Sequence, residues 1–201
     1  MSKFLERLRR VPGQIRAQSA QRIRRWARLI EQHNIDEQAY PCEPRDRGVF
    51  FSCLGTVILD SDDSVLLKGL GQAAKLHSRG MVFSRSGNSV RATLGVMSVR
   101  VDTIEELQIL EEIYLDGIYN FDLNAPLLIV DIGMNVGYTA VYFAGMHPEA
   151  VIFAYEPFAP TLRCAEANIQ LNPTLRSRVH VNRFGLSDLD RSLDIEYTDE
   201  W

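Results

Sequence analysis

An apolar run that ends in an acid and opens directly into a glycine turn is the feature that most constrains the fold: Leu127-Leu-Ile-Val-Asp-Ile-Gly-Met-Asn-Val-Gly-Tyr-Thr139. Residues 127–130 show no alternation of apolar and polar side chains, which predicts a strand buried on both faces of a parallel sheet. Residues 138–146 are apolar with small residues interspersed, as in a helix packed on that sheet. Gly133 and Gly137 permit positive φ and close backbone approach, so the turn predicts a nucleotide site at a helix N-terminus.

The spacing of these glycines narrows the choice of nucleotide. A dinucleotide site requires Gly-x-Gly-x-x-Gly and a P-loop requires Gly-Lys-Ser/Thr, whereas this chain has Asp131-x-Gly133-x-Asn135-x-Gly137 without a lysine. The acid at the strand end would repel a pyrophosphate, and it suits a ligand that carries an ammonium group. The next predicted strand ends at Glu156, a residue that can accept both hydroxyls of a ribose.

From Asp131 to Asp188 the chain resembles the cofactor-binding half of an S-adenosylmethionine-dependent methyltransferase of the FkbM type. The resemblance rests on four motifs in the family's order, namely the Asp-x-Gly-x-Asn-x-Gly-Tyr-Thr turn, the Glu156-Pro157 pair, Asn168-Ile-Gln-Leu-Asn172 and the turn from Gly185 to Asp188. The segment from Glu105 to Tyr119 is also similar to what precedes the first sheet strand in that family.

The resemblance implies S-adenosyl-L-methionine as cofactor and O-methylation of a hydroxyl on a sugar, glycan or small metabolite. The cofactor-binding residues that it implies are Asp131, Gly133, Asn135, Gly137, Tyr138, Thr139, Glu156, Leu186 and Asp188. Purely structural roles are the alternative: a turn cap at Asp131, a solvated acid at Glu156, and helix-start packing at Tyr138 and Thr139. We expect Glu156 to matter little for folding. The family's acceptor and base residues are expected beyond the third strand, so no catalytic residue is identified.

The order of predicted elements gives an α/β fold. A capping box at Thr103–Glu106 starts a helix that ends near Gly117. Strand, helix, strand, helix and strand then follow to Phe184, which predicts a parallel sheet with right-handed crossovers and a ligand crevice beyond the carboxyl ends of its strands. This is the N-terminal half of a Rossmann-like methyltransferase sheet. We expect the C-terminal half to be missing, which leaves an open apolar edge on the first strand and favours association into a homo-oligomer.

Three regions are predicted along the chain. Residues 1–47 comprise a basic amphipathic helix to Gln32, kinked near Pro12-Gly13, and a linker or loop at 36–46. Residues 48–102 form a small β-rich subdomain of hairpins, and residues 103–201 form the incomplete Rossmann-like domain. Within the subdomain, strands are predicted at 48–59, 65–67, 81–84 and 90–101, with turns at 60–63 and 86–88.

The net charge of −4 is unevenly distributed. Residues 1–34 carry nine Lys/Arg and two acids, and the remainder carries thirteen Lys/Arg and twenty-four acids. The acidic body argues against a nucleic-acid partner. The basic helix predicts either contact with an anionic membrane surface or an acidic partner, or packing against the acidic body of its own chain or of a second copy.

Composition bounds the remaining function classes. Three cysteines without histidines at ligand spacing indicate reduced thiols and no metal site. There is no pattern typical of a signal peptide and no apolar run of about 20 residues, so we expect a cytoplasmic protein. Two alternatives to the methyltransferase stay open: a truncated, non-catalytic cofactor-binding or assembly module, and an NAD-binding oxidoreductase, which Asp131 and Asn135 disfavour.

Overall fold

The computed structural model describes residues 27, 31, 35–36, 38–45, 48–59, 65–86, 89–120, 127–189 and 191–192. The described residues within 1–90 and 101–108 form one compact unit, and those within 91–100 and 109–201 form another. The described chain is a mixed α/β protein with three three-stranded sheets. The predicted helix before Gln32, apart from residues 27 and 31, lies outside the described residues, as does the turn at 60–63. The predicted region boundaries stay predictions.

The first sheet contains β1 (Cys42–Arg45), β2 (Gly48–Phe51) and β3 (Thr56–Leu59), paired antiparallel in that order. The strand predicted at 48–59 is confirmed in part, since a turn at 52–55 divides the run into β2 and β3. The linker prediction at 36–46 is wrong where β1 forms. Its proline, Pro44, is compatible with a strand because β1 lies at the sheet edge, where a missing N–H is tolerated.

Two helices follow, α1 (Val65–Lys68) and α2 (Leu70–Ser78), so the strand prediction at 65–67 is wrong. The buried residues Leu66, Leu70 and Ala73 recur at helical spacing. One face of α1 and α2 is therefore buried in the core, and this periodic burial outweighs the strand propensity of the β-branched Val65.

The second sheet has the order β4 (Val82–Ser86), β5 (Ser89–Leu94) and β6 (Met97–Val101). β4 confirms the strand predicted at 81–84. The run predicted at 90–101 is divided in two, because Gly95 adopts φ +57° and the chain turns back within two residues. Of the turn predicted at 86–88, Ser86 is the last residue of β4, and residues 87 and 88 lie outside the described part.

The predicted capping box starts α3 (Ile104–Tyr114) and is confirmed. The backbone N–H of Glu106 donates to Thr103 Oγ1 at 3.2 Å, and Glu106 Oε2 accepts from the Thr103 N–H at 3.3 Å. Gly117, three residues beyond the helix, has φ +63°, in agreement with its predicted role at the helix end.

The third sheet is parallel, with the order β7 (Leu128–Ile132), β8 (Val151–Tyr155) and β9 (Val179–Asn182). The helices α4 (Tyr138–Met146) and α5 (Ala159–Gln170) connect the strands, and a 3₁₀ turn at Arg176–Arg178 precedes β9. The predicted sequence of strands and helices and their parallel pairing are therefore confirmed. No helix in the described part of the chain is long and apolar enough to cross a membrane.

One prediction for this sheet is wrong: β7 is not buried on both faces. Leu128, Val130 and Ile132 are 70%, 49% and 66% exposed. On β8, in contrast, Ile152 and Ala154 are fully buried on the opposite face of the sheet. A continuous apolar run therefore did not distinguish a strand covered on both faces from one covered on a single face.

Candidate functional site

The glycine turn between β7 and α4 holds three residues in the left-handed region. Gly133, Asn135 and Gly137 have φ of +73°, +50° and +82°, and Asn135 is the single non-glycine residue with positive φ in the described chain. Asparagine tolerates this conformation better than most residues. The backbone N–H groups of Gly133 and Met134 both donate to the carbonyl of Tyr155 at 3.0 Å, which fixes the turn to the end of β8.

The two glycines have different reasons to lack a side chain. A Cβ on Gly137 would lie 3.2 Å from both Cα and Cβ of Ala165, so a side chain there would crowd the backbone of α5. A Cβ on Gly133 would meet no described atom within 4 Å. Gly133 is therefore required by its backbone angle, and it leaves open space beside the turn.

Glu156, directly after β8, holds the glycine turn in place. It is 4% exposed. Its Oε2 accepts from the N–H of Asn135 at 3.1 Å, and its Oε1 accepts from the N–H of Phe158 at 2.9 Å. The alternative of a solvated acid is therefore wrong. The expectation that Glu156 matters little for folding stays a prediction, and the burial of the side chain and its two hydrogen bonds argue against it. This carboxylate joins the two loops that follow β7 and β8.

Asp131 lies in β7, two residues before Gly133, and one of its two carboxylate oxygens lacks a hydrogen-bond donor among the described residues. Its Oδ2 is buried and accepts no hydrogen bond from the described residues. Loss of hydration on burial raises the pKa of Asp131 to about 6. A buried carboxylate oxygen without a donor is costly, so this position favours a ligand that brings positive charge or a hydrogen-bond donor to Oδ2.

The remaining predicted site residues are less directly joined to the turn. Tyr138 is buried, and its hydroxyl donates to the carbonyl of Arg100, so its ring is directed towards β6. Thr139 is half-buried in the first turn of α4. Leu186 and Asp188 are exposed in the loop after β9.

That loop nevertheless runs beside the loop of Glu156. A Cβ on Gly185 would lie 3.6 Å from Cγ of Pro157. The loops after β8 and β9 therefore meet at Pro157, next to the carboxylate that holds the turn. The structure thus brings the glycine turn and Glu156 into direct contact, and places the segment of Leu186 near them.

Sequence reasoning missed the role of Asn168 and Asn172, which entered only as part of a family motif. Both are 2% exposed and lie on one face of α5 and its C-terminal extension. Polar residues four apart that share a face with Leu162, Ala165 and Ile169 were the available signal. Buried amides need hydrogen-bond partners, and these bind backbone groups of β6 and of the glycine turn.

A second concavity, of about 660 Å³, lies between α5 and β9. Its charged side chains are already engaged. Arg183 pairs with Glu166 at 2.8 Å, and Arg176 Nη1 donates to Gln170 Oε1 at 2.9 Å. Within the described residues, no group of three or more His, Cys, Asp or Glu side chains could hold a metal ion. The glycine turn therefore remains the candidate site.

Comparison with known proteins reveals one similarity of limited extent. Over 90 residues, 43% of this chain, it is 34% identical to the AMB antimetabolite synthetase AmbE of Pseudomonas aeruginosa. The matched segment covers 4% of AmbE, so the chain spans a small part of that protein's length. No family model matches the chain, and no solved structure matches it.

Proposed function

We propose that the third sheet is the N-terminal half of a Rossmann-like methyltransferase fold that binds S-adenosyl-L-methionine, and that the chain acts in O-methyl transfer of the FkbM type. The observation that carries this proposal is the Asp131 carboxylate, whose buried Oδ2 accepts no hydrogen bond from the described residues, close in sequence to the open space at Gly133. The ammonium group of the cofactor's methionine part would supply the charge that this carboxylate needs.

The turn supports the proposal because its shape is set before a ligand binds. The Tyr155 carbonyl, the Glu156 carboxylate and the contact with Ala165 each fix a different residue of the turn. A preorganised backbone loses little conformational entropy when it binds a ligand, so more of the contact energy appears as affinity.

Glu156 can hold the turn and bind a ribose at once. Each of its carboxylate oxygens accepts one backbone N–H. A carboxylate has about four acceptor positions, so each oxygen keeps one for a ribose hydroxyl. This second role is part of the proposal.

Methyl transfer itself requires few protein groups. The acceptor oxygen attacks the methyl carbon, the C–S bond breaks, and S-adenosylhomocysteine and a proton are released. Catalysis is then mostly alignment of the oxygen with the methyl–sulfur bond in dry surroundings. We propose a hydroxyl on a sugar, glycan or small metabolite as acceptor. AmbE, by its name an antimetabolite synthetase, supports the small-metabolite class.

Calorimetry with S-adenosylhomocysteine tests the proposal, with NAD as the competing ligand. We expect the full chain to bind S-adenosylhomocysteine and not NAD, and Asp131→Asn to abolish binding. Asp116→Asn, at an exposed aspartate beyond α3, is the matched control and should bind as the unmodified chain does. Binding of NAD alone, or of neither ligand, would contradict the proposal.

The exposed apolar positions of β7 favour a second candidate, a non-catalytic binding or assembly module. Such a module would bind S-adenosylhomocysteine yet transfer no methyl group to any acceptor. A turnover assay with radiolabelled S-adenosylmethionine over a panel of glycans and hydroxylated metabolites separates the two.

A further inference from the structure

The outer edge of β6 is occupied by side chains instead of a strand. Ser98 and Arg100 are two residues apart, so their backbone groups point in the same direction. The N–H of Ser98 donates to Asn172 Oδ1 at 2.8 Å, and Asn172 Nδ2 donates back to the Ser98 carbonyl at 2.7 Å. The N–H of Arg100 donates to Asn168 Oδ1 at 2.8 Å, and its carbonyl accepts from the hydroxyl of Tyr138.

These contacts reproduce the pairing that a neighbouring strand would give. Edge strands normally present unpaired N–H and C=O groups. Here four consecutive backbone groups on the edge are satisfied by three buried side chains. Asn172 Nδ2 also donates to the Asn168 carbonyl at 2.8 Å, which joins the two amides into one network.

The same network reaches the glycine turn. Asn168 Nδ2 donates to the carbonyl of Val136 at 2.8 Å, between Asn135 and Gly137. Asn168 therefore binds β6 through its oxygen and the turn through its nitrogen. Tyr138, the first residue of α4, makes a second connection from the turn's end to β6.

We propose that Asn168 and Asn172 are positioning residues, which hold the β6 edge and the glycine turn as one unit so that the β5–β6 hairpin forms part of the cofactor site. The inference rests on the proposed function for the identity of the ligand. It predicts reciprocity: the free energy by which a bound ligand stabilises the β6 edge pairing equals the free energy by which that pairing strengthens ligand binding.

Asn172→Ala tests this coupling in the full chain. The side chain of Asn172 binds Ser98 and the Asn168 carbonyl but does not itself bind the glycine turn, which Asn168 contacts. Site-resolved amide hydrogen exchange should show about tenfold faster exchange at Ser98. We expect a several-fold increase also at Asn135 and Gly137, and a several-fold weaker affinity for S-adenosylhomocysteine.

Gln170→Ala is the matched control, since Gln170 is an exposed residue of the same helix whose side chain accepts from Arg176. It should change none of these quantities. Faster exchange at Ser98 with unchanged exchange at Asn135 and unchanged affinity would overturn the inference, because the asparagines would then serve the hairpin alone.

Asn172→Ser provides a second variant if the alanine variant does not fold, because it introduces no charge and keeps a hydroxyl at this position, while the paired amide bonds to Ser98 are lost. The unmodified chain supplies an independent measurement: S-adenosylhomocysteine should slow exchange at Ser98 and Arg100, and binding without that change would also overturn the inference. If the unmodified chain does not bind S-adenosylhomocysteine, the proposed function fails. The exchange rates at Ser98 and Asn135 in the Asn172 variants still decide the coupling.

Discussion

At the residue scale, Glu156 combines a structural bond network with a proposed ligand contact. Glu156→Gln keeps the shape of the side chain but turns an amide NH₂ towards one of the two backbone donors. A hydrogen bond to a charged group contributes about 1.5–3 kcal/mol. We therefore expect urea denaturation to show a loss of about 1.5–3 kcal/mol in the free energy of unfolding. Calorimetry should show S-adenosylmethionine affinity falling by roughly tenfold to a few hundredfold.

Glu149→Gln is the control for this substitution. Glu149 is an exposed acid just before β8, at the amino end of the strand whose carboxyl end carries Glu156. It should change neither stability nor affinity. If both variants bind and unfold alike, the Glu156 carboxylate supports neither the turn nor a ligand.

Asp131 makes the stability of the free protein depend on pH in a defined direction. Burial raises its pKa to about 6, against about 3.9 in an unfolded chain. Between about pH 4 and 6 the folded state therefore retains a proton that the unfolded state has released. The free energy of unfolding should fall as pH rises through this window, by about 2–3 kcal/mol in total, and then level off.

Asp131→Asn should remove this pH dependence and leave the free protein more stable than the unmodified chain at pH 7, while binding of S-adenosylmethionine is lost. Thermal unfolding at half-unit pH steps from 4 to 8 measures the first effect. Asp116→Asn should follow the unmodified chain throughout. Parallel pH curves for Asp131→Asn and the unmodified chain would show that burial does not raise the pKa of the Asp131 carboxyl.

At the element scale, the glycine turn offers a comparison between two residues with the same backbone angle and different surroundings. Alanine in the left-handed region costs about 1–2 kcal/mol at either position. Gly137→Ala also forces a Cβ to within 3.2 Å of Ala165 in α5, so we expect a further loss of about 1–3 kcal/mol. Gly133→Ala should fold with only the backbone cost, yet lose ligand affinity, because its Cβ enters the open space beside the turn.

Gly80→Ala is the control for both, since Gly80 has φ +94° and follows α2, outside the third sheet and the β5–β6 hairpin. This variant should lose stability by the backbone cost alone and should keep its affinity for the ligand. Chemical denaturation and calorimetry on the three variants measure the two effects separately. Equal stability of Gly133→Ala and Gly137→Ala would mean that α5 shifts to accommodate the new Cβ without a loss of stability.

Where sequence predicted the elements correctly, the signal was local. The capping box of α3 depends on Thr103 and Glu106, three residues apart, and the strand–helix–strand order from Leu127 depends on apolar periods and glycine or proline boundaries. The errors arose where tertiary context decides. β1 forms because β2 pairs with it, and α1 with α2 because Leu66, Leu70 and Ala73 are buried at helical spacing.

The candidate site likewise has features that the local sequence predicts and features that tertiary contacts decide. Positive φ at Gly133 and Gly137 followed from the residue type, because glycine carries no Cβ penalty there. The burial of Glu156 and the pairing of Asn168 with β6 did not follow, since each depends on a partner far away in sequence. A single amino-acid sequence does not indicate which distant backbone group a polar side chain will hydrogen-bond.

At the scale of the whole molecule, the third sheet exposes an apolar face. Leu128, Val130 and Ile132 are 70%, 49% and 66% exposed along β7. The register places Phe153 and Tyr155 of β8 opposite Val130 and Ile132, on the same face. β7 is also an edge strand in the described sheet. Contiguous apolar patches at open edges are typical of association sites.

We therefore expect the chain to self-associate with rising concentration, and Leu128→Lys with Ile132→Lys to weaken that association. Both side chains are already mostly exposed, so the substitutions should leave the fold intact. Sedimentation velocity over a concentration series measures the effect, and circular dichroism checks the fold. Val96→Lys is the control, because Val96 is 66% exposed in the β5–β6 turn, and that hairpin belongs to a different sheet from β7.

Association and cofactor binding should then depend differently on concentration. The turn and Glu156 belong to one chain, so the affinity for S-adenosylhomocysteine should be the same at every protein concentration. If a second copy supplies the residues that bind the methyl acceptor, methyl transfer per chain should rise with concentration. The double lysine variant should then bind the cofactor normally but lose turnover. A chain that stays monomeric at all concentrations and methylates a defined hydroxyl at constant specific activity would rule out this role for the β7 face.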